Sequence, residues 1–282
     1  MDWKGRRGSR NIEDRRRSSG GGVRAGGIGG VGLVAVLLIG WALGIDVTPL
    51  LQDQGGAPTA PVELTDADRA AGEFVSVTLA DTEEVWAALF ASQLNRDYRP
   101  ATLVLFKGNT ASPCGTASGA SGPFYCPSDR KVYLDTEFFV TLDKRLGAGG
   151  DFAAAYVVAH EVAHHVQNEL GILGQSTQLR ADASEAESNE ISVRTELQAD
   201  CLSGIWAREA AARFGSVDRG DFEEAVNAAR QIGDDTLQAA AGRAPQPHTF
   251  THGTSDQRAG WFLTGLNSGQ MADCDTFAAA EL

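Results

Sequence analysis

Residues 151–170 read DFAAAYVVAHEVAHHVQNEL, and Gly171 follows. The run is apolar on nearly every side, which is typical of a buried helix, and glycine is a favoured residue at a helix end. Within the run, the sequence HEVAH places His160 and His164 four residues apart, on one face of the helix. Both imidazoles can therefore reach one metal ion, and Glu161 lies close enough to act on a water molecule held there.

The histidine pair needs a further ligand, because a catalytic zinc site usually has three protein ligands and an open fourth position. The candidates are the later acids and His248 or His252, and the best of them is Glu196 in the sequence ELQAD. Asp200, one turn further along the same helix face, can accept the other N–H of a ligating histidine. A merely structural histidine pair is the alternative, but a carboxylate buried beside two imidazoles is costly unless it is paired or coordinated. The sequence therefore predicts one Zn²⁺ ion with these three ligands: His160, His164 and Glu196.

The other patterns predict an α+β domain that is mainly helical and has a small sheet. Residues 101–106 (ATLVLF) indicate a short buried strand. Two more short runs, separated by a turn, are typical of a hairpin: Phe124–Cys126 and Lys131–Leu134. Besides the helix with HEVAH, we expect helices in these segments: from Thr82 through VWAALFASQL, Thr136–Leu146, Ser184–Phe214, from Asp218 or Asp221 to Ile232, and Thr254–Leu266.

Charge is distributed unevenly along the 282 residues, whose formal net charge is −13. Residues 1–24 carry eight Lys/Arg against three acids, about +5, which leaves about −18 for the rest. Residues 25–45 contain no charged residue, and about 20 such residues span a bilayer as a helix. The positive-inside rule then places the N-terminus in the cytoplasm and the acidic part outside. An acidic surface repels phosphates, so no nucleic-acid partner is expected.

Two other structures would also explain residues 25–45: a buried core helix and a cleaved signal peptide. The flanking charges disfavour the first, and the long charged region without a clear small-x-small cleavage site disfavours the second. Residues 46–64 are rich in Pro and Gly, as expected of a linker. The sequence thus predicts a basic cytoplasmic tail, a single-pass transmembrane anchor, a linker and a catalytic domain, over residues 1–24, 25–45, 46–64 and 65–282.

The four cysteines fit a domain outside the cytoplasm. They are Cys114, Cys126, Cys201 and Cys274, and none forms a Cys-x-x-Cys pair, which disfavours a zinc ribbon. An even number of cysteines in an oxidising compartment suggests two disulfides. Of the three possible pairings we favour Cys114–Cys126, which closes a short loop, and Cys201–Cys274. Four free, buried thiols are the alternative, and a cytoplasmic domain would require them.

The motifs together resemble a known family. HEVAH at 160–164 followed by ELQAD at 196–200 resembles the gluzincin metallopeptidases, and the whole chain is similar to the membrane-anchored neutral zinc metallopeptidases of bacteria. The similarity starts with KGRRGSRNIEDRR at 4–16, includes the Gly-rich apolar segment, and continues to the C-terminal runs at 249–258, 261–262 and 274–277. It implies a zincin-like catalytic domain, peptidase activity and a location in the bacterial cell membrane.

Zinc chemistry suggests how such a site would work. A metal-activated water attacks the carbonyl, while Glu161 takes its proton as general base and passes it to the leaving amine. The oxyanion that forms needs a further stabiliser, for which His252 or His248 is a candidate. His165 points about 100° away from His164 on the helix and is expected to be structural. Weaker candidates for the oxyanion stabiliser are three tyrosines: Tyr156, Tyr133 and Tyr125.

The expected substrate is a peptide or protein. Its extended backbone is expected to pair with Lys131–Leu134 if that run is an edge strand. Two other functions would use the same zinc site: hydrolysis of a non-peptide amide or ester, and a scaffold that binds zinc without turnover. Replacing Glu161 by Gln distinguishes catalysis from scaffolding, because only catalysis needs the general base.

Overall fold

The computed structural model of the chain describes residues 1–17, 63–118 and 122–282. In chain order, its strands and main helices are β1 (Ile12–Asp14), α1 (Asp66–Leu89), β2 (Thr102–Phe106), β3 (Asn109–Ser112), β4 (Gly115–Ser118), β5 (Phe124–Cys126), β6 (Lys131–Asp135), α2 (Phe138–Lys144), α3 (Asp151–Glu169), α4 (Ile172–Ala181), α5 (Glu185–Phe214), α6 (Arg219–Gln231), α7 (Asp234–Ala240) and α8 (Ser255–Ser268). A π-helical turn at Phe90–Leu94 and 3-10 turns at Pro247–Thr249 and Met271–Cys274 complete the described elements. The expected α+β class, mainly helical with a small sheet, is confirmed.

The main sheet has four strands in the order β1-β2-β6-β5. β1 pairs parallel with β2 and β2 with β6, whereas β5 and β6 form the antiparallel hairpin expected from the sequence. β3 and β4 form a separate antiparallel pair. Val132 in β6 lies opposite Leu103 on one side and Tyr125 on the other. The expectation that Lys131–Leu134 is an edge strand is therefore wrong, because β2 and β5 fill both sides of β6.

Helix α3 forms the centre of the fold and packs against α1, α5 and α6. Nearly all of its apolar residues are fully buried, as the all-round apolar pattern indicated. Phe152 at its start stacks on Trp206 of α5 with ring centroids 5.7 Å apart, and Phe222 of α6 meets Phe152 edge-on at 6.0 Å. Because α3 is enclosed in this way, its histidines and Glu161 are shielded from bulk water and their neighbours determine their charge.

Capping side chains determine where two long helices begin. Ser184 forms a capping box with Glu187 before α5, and Thr254 forms one with Gln257 before α8. Asp218 caps α6 by accepting hydrogen bonds from two backbone N–H groups of its first turn. The expected starts of these three helices are therefore confirmed, whereas the short helices α4 and α7 were not anticipated.

Helix α1 begins much earlier than the sequence pattern indicated. Thr65 forms a capping box with Asp68, so the helix starts at Asp66. The hydroxyl of Thr82 donates instead to the Leu79 carbonyl oxygen, 2.7 Å away, in the interior of the helix. The hydroxyl of a threonine followed by acids can either cap the start of a helix or donate to a carbonyl oxygen inside one. The local sequence does not distinguish these two positions.

The amino-terminal segment packs against the helical domain. β1 adds a parallel strand to the sheet, and the Met1 ammonium lies 2.9 Å from Asp151 and 2.6 Å from Asp221. Residues 1–17 are therefore part of the folded domain, and the expected separate tail over residues 1–24 is corrected to this extent. The physical reason is that basic residues of the segment pair with acids of the domain, which charge composition does not reveal.

None of the helices in the described part of the chain is long and apolar enough to cross a membrane. The expected anchor at residues 25–45 lies outside the described residues, as does the expected linker apart from residues 63 and 64. Residues 65–282, expected to form the catalytic domain, contain all of the helices and every strand except β1 among the described elements.

Both favoured disulfides are present. Cys114, in the turn between β3 and β4, is bonded to Cys126 of β5. Cys201 in α5 is bonded to Cys274 in the last 3-10 turn. The first bond attaches the β3–β4 hairpin to the edge of the main sheet, and the second attaches the C-terminal turn to α5.

Helices α5 and α8 approach so closely that only glycine fits at their contact. A Cβ atom at Gly265 would overlap the carbonyl oxygen of Cys201, and one at Gly204 would overlap the carbonyl oxygen of Phe262. In both places the obstacle is backbone, which cannot move aside as a flexible side chain can. The two helix backbones therefore set the distance between α5 and α8 directly.

We expect Gly265→Ala to lower the free energy of unfolding by about 1–3 kcal/mol, the usual effect of overpacking a close contact. Gly260→Ala in the same helix is the matched control, because a Cβ there meets nothing within 4 Å. The control should be neutral or up to about 1 kcal/mol stabilising, since alanine favours the helix over glycine. Denaturant titration of both variants measures the difference, and equal stability of the two would refute the close contact.

Candidate metal centre

Three of the predicted side chains converge on one point. His160 and His164 project from α3, and Glu196 projects from α5. Glu196 Oε2 lies 3.0 Å from His160 Nε2 and 3.5 Å from His164 Nε2. One possible ligand atom of each residue lies within 4.8 Å of the other two. The structure thus brings together the residues that the sequence predicted as metal ligands.

Asp200 orients the first histidine. Its Oδ1 lies 2.9 Å from His160 Nδ1, and its side chain is fully buried. Arg258 of α8 donates to Asp200 from Nε at 2.9 Å and from Nη2 at 3.1 Å, and the Tyr156 hydroxyl donates at 2.5 Å. Burial raises the pKa of Asp200, but the charges of Arg258 and His160 outweigh burial and lower it. A charged Asp200 accepts the Nδ1–H of His160 and so directs Nε2 towards Glu196.

Gln167 has the same role for the second histidine. Its Nε2 donates to the Thr195 carbonyl oxygen at 2.7 Å and to Gln198 Oε1 at 3.0 Å. These two bonds leave Gln167 Oε1 as an acceptor, and it lies 2.8 Å from His164 Nδ1. His164 therefore carries its proton on Nδ1 and, like His160, presents Nε2 to Glu196.

This arrangement requires positive charge at its centre. With both protons on Nδ1, two Nε2 lone pairs face a carboxylate oxygen, which is repulsive unless protons or a cation lie between them. Burial lowers the pKa of His160, but the carboxylates of Asp200 and Glu196 outweigh it and raise that pKa to about 10. Burial raises the pKa of Glu196, but the neighbouring imidazoles hold it well below its usual range. The donor set thus attracts either protons or a metal cation.

Glu161 lies beside these groups without being one of them. Its side chain is buried, and burial raises its pKa, although the charges of His164 and His160 act in the opposite direction. A carboxyl group with a raised pKa holds a proton more readily than an exposed one, which suits a group that transfers protons.

His252 lies at the rim of the cluster and is held by Asp234. The Asp234 carboxylate accepts the backbone N–H groups of Thr251, His252 and Gly253, and its Oδ1 lies 3.3 Å from His252 Nδ1. Burial lowers the pKa of His252, but the bond to Asp234 and the charge of Glu196 outweigh it, so the net shift is upward. His252 therefore favours its charged form, while 46% of its side chain is exposed.

The other candidates for stabilising an oxyanion have different surroundings. Tyr133 donates to Asp129 at 2.7 Å, and Tyr156 is bound to Asp200. The Tyr125 hydroxyl lies 3.0 Å from His165 Nδ1, and His165 Nε2 donates to the Arg99 carbonyl oxygen at 2.7 Å. His165 is thus the structural histidine that the helix periodicity indicated. His248 lies exposed in the 3-10 turn, where its backbone carbonyl accepts from Asn189 at 3.0 Å.

Sequence reasoning missed three residues of the site: Gln167, Asp234 and Arg258. Gln167 could have been found, because it lies three residues after His164 on the same helix face. Asp234 and Arg258 carried no local signal, since their partners lie on other elements.

Comparison with known proteins agrees with this geometry. The chain is 45% identical over 290 residues to "Uncharacterized protein YpfJ" of Escherichia coli K12, which covers 98% of the chain and 99% of that protein. It is 40% identical over 227 residues to "Uncharacterized protein Mb2605" of Mycobacterium bovis, which covers 77% of the chain and 74% of that protein. No solved structure matches. Residues 1–277 match the family described as "Putative neutral zinc metallopeptidase", and the chain belongs to this family.

Proposed function

We propose that the protein is a zinc-dependent peptidase in which His160, His164 and Glu196 hold one Zn²⁺ ion. The observation that carries this proposal is the convergence of two fixed imidazole lone pairs and a carboxylate on one point. Membership of a zinc metallopeptidase family supports the same assignment.

The donor set fits zinc in number, type and spacing. Bonds of about 2.1 Å place the donor atoms of a tetrahedral zinc ion roughly 3.4 Å apart. The Glu196 oxygen lies 3.0 and 3.5 Å from the two Nε2 atoms, which is close to that spacing. Two histidines and one glutamate are a typical catalytic set, with the fourth position free for water or substrate. When bound, zinc lowers the pKa of a water molecule and polarises the scissile carbonyl.

Glu161 is the general base in this proposal. It follows His160 directly on α3 and is buried beside both imidazoles. It takes a proton from the attacking water and passes it to the nitrogen of the leaving amine. Its raised pKa supports the second step, because a weaker acid holds the proton until the amine accepts it.

His252 stabilises the oxyanion that develops on the scissile carbonyl. Asp234 raises the pKa of this imidazole, and it fixes the loop that carries His252 by accepting three backbone N–H groups. A positioned cation at the rim of a partly buried site lowers the energy of a developing negative charge. The half-exposed ring remains accessible to a substrate.

A peptide substrate is positioned by β5 rather than by β6. Among the described strands, β5 is an edge of the main sheet, and a further strand can pair with a strand in that position. Tyr125 in β5 is bonded to His165 on α3, the helix that carries both histidine ligands, and this contact attaches the strand to that helix.

The protein acts at the bacterial cell membrane. Residues 25–45 form an uncharged run long enough to enter a bilayer. The two disulfides support a domain on the oxidising, extracytoplasmic side.

We expect Asp200→Asn to lower zinc affinity about 10–100-fold, because the partner that orients His160 loses its charge. Asp234→Asn is the matched control and should leave zinc affinity unchanged, since Asp234 contacts none of the three ligands. Competition with a chelator measures both variants, and unchanged affinity in a folded Asp200→Asn protein would contradict the assigned role.

Glu161→Gln should retain zinc and lower kcat/KM for peptides by at least about 100-fold, the usual contribution of a general base. Glu190→Gln, the same change at the exposed start of α5, should be fully active. Cleavage of a broad peptide library with parallel metal analysis tests both. If Glu161→Gln cleaves peptides as fast as the native protein, Glu161 is not the general base. If the zinc-loaded native protein cleaves no peptide, the result favours a zinc-binding scaffold without turnover.

The pH dependence of catalysis tests His252. Its raised pKa keeps the imidazole charged to higher pH, so kcat/KM should fall on the alkaline side as His252 loses its proton. Asp234→Asn removes the main group that raises this pKa and should move the alkaline limb to lower pH. Asp256→Asn, an exposed change at the start of α8, should leave the profile unchanged. If the alkaline limb of the profile stays at the same pH in Asp234→Asn, His252 is not the group that stabilises the oxyanion.

A further inference from the structure

We propose that residues 1–17 lie on the same side of the membrane as the metal centre, as a permanent part of the catalytic domain. β1 is hydrogen-bonded along its length to β2, in the register Ile12 to Leu103 and Asp14 to Leu105. The ladder is continued by the Arg15 N–H, which donates to the Leu105 carbonyl oxygen at 2.7 Å. This inference is independent of the zinc chemistry.

Arg6 neutralises a buried acid of the domain. Its guanidinium donates to both oxygens of Asp81 in α1, at 2.8 and 2.7 Å, and to the Ser216 hydroxyl at 3.0 Å. It also lies over the ring of Phe214, 4.4 Å from the centroid. The Asp81 side chain is only 5% exposed. Burial raises the pKa of Asp81 to about 6, although Arg6 acts in the opposite direction. Replacing Arg6 in the docked segment would leave this carboxyl group without its bidentate partner, which is strongly unfavourable.

The guanidinium of Arg16 is buried against α1 at a position where the helix has a glycine. Only 6% of its side chain is exposed, and its guanidinium donates to the Asp68 carbonyl oxygen. The helix has a glycine at the point of contact, and a Cβ at Gly72 would lie 2.7 Å from Nη1 of Arg16. A larger residue at position 72 would therefore displace the arginine.

Aromatic and polar contacts extend the same interface. Trp3 meets Phe74 of α1 edge-on, with ring centroids 5.6 Å apart. Arg7 donates to Glu84 at 2.7 Å, and Asn11 donates to Glu83 at 2.8 Å. The segment thus contributes to the hydrophobic core as well as to ion pairs, which is typical of an integral element rather than a tail.

These contacts conflict with the orientation expected from the charge pattern. A single crossing by residues 25–45 would place residues 1–17 and 65–282 on opposite faces of the membrane, and none of the contacts could then form. Arg6 and Arg7 instead bind acids of the domain, and Arg15 and Arg16 pair with Glu13 and Asp14 of the segment itself, so their charge does not mark the cytoplasmic side.

Thiol labelling in cells tests the two arrangements. All four native cysteines are in disulfides, so a single introduced cysteine is the reactive thiol. Asp2→Cys and Glu281→Cys both place it at exposed positions, and Asp2→Cys removes no positive charge. A maleimide that cannot cross membranes is added before and after the membrane is permeabilised. For each full-length variant, the labelling before permeabilisation is divided by the labelling after it, and this ratio should be the same for both variants. Labelling of one before and of the other only after permeabilisation would overturn the proposal.

A matched charge reversal tests the docking itself. Arg6→Glu should lower the Tm of the full chain by at least about 4 °C, because it places a second acid beside Asp81. Arg10→Glu changes the charge of the segment equally at an exposed position and should shift the Tm by less than about 1 °C. Equal Tm values for the two variants would show that the segment is not docked. If Arg6→Glu does not fold, Arg6→Lys, which keeps the charge but loses the bidentate bond, should still be less stable than Arg10→Lys.

Discussion

The buried carboxylate of Asp200 is the group on which the rest of the arrangement depends. It accepts hydrogen bonds from His160 and Tyr156 of α3 and from Arg258 of α8, and Asp200 itself lies in α5. A buried charge is tolerated only with partners of this kind, and removing one of them is strongly destabilising. Since the partners come from two other helices, a shift of any of the three helices would break at least one bond to Asp200. The orientation of a proposed metal ligand and the packing of the helical core are therefore determined together.

The charges of the centre suggest why a dication suits it. Three carboxylates lie in or beside the cluster, those of Glu161, Glu196 and Asp200, and Arg258 offsets one of them. Two negative charges remain when the imidazoles are neutral, and one Zn²⁺ ion balances them. Protonated histidines supply the same charge, which explains the upward pKa shifts of His160 and His164. Binding of the proposed zinc ion would therefore release protons and should be weaker at low pH.

The parts of the site that the sequence predicted are those fixed by helical periodicity. The four-residue spacings of HEVAH, and of Glu196 with Asp200, place side chains on one helix face whatever the tertiary structure is. Arg258 and Asp234 could not be predicted, because their partners lie on distant elements that only the packed fold brings together. Residues 1–17 were misassigned for a related reason: composition gives the number of charges but not whether each faces solvent or an acid of the domain. Similarly, Thr82 has the local pattern of a helix start, and only the longer helix packed around it excludes that position.

The glycine contact between α5 and α8 has a consequence for the electrostatics of the centre. α5 carries Asp200, α8 carries Arg258, and the two backbones meet at Gly204 and Gly265 with no side chain between them. A contact of this kind has no rotamers to exchange, so the guanidinium and the carboxylate stay at a fixed separation. Their dipoles do not have to turn when charge is gained or lost at the neighbouring imidazole. The surroundings of the proposed metal site are therefore expected to have a low reorganisation energy, with the electric field already in place before the proposed reaction begins.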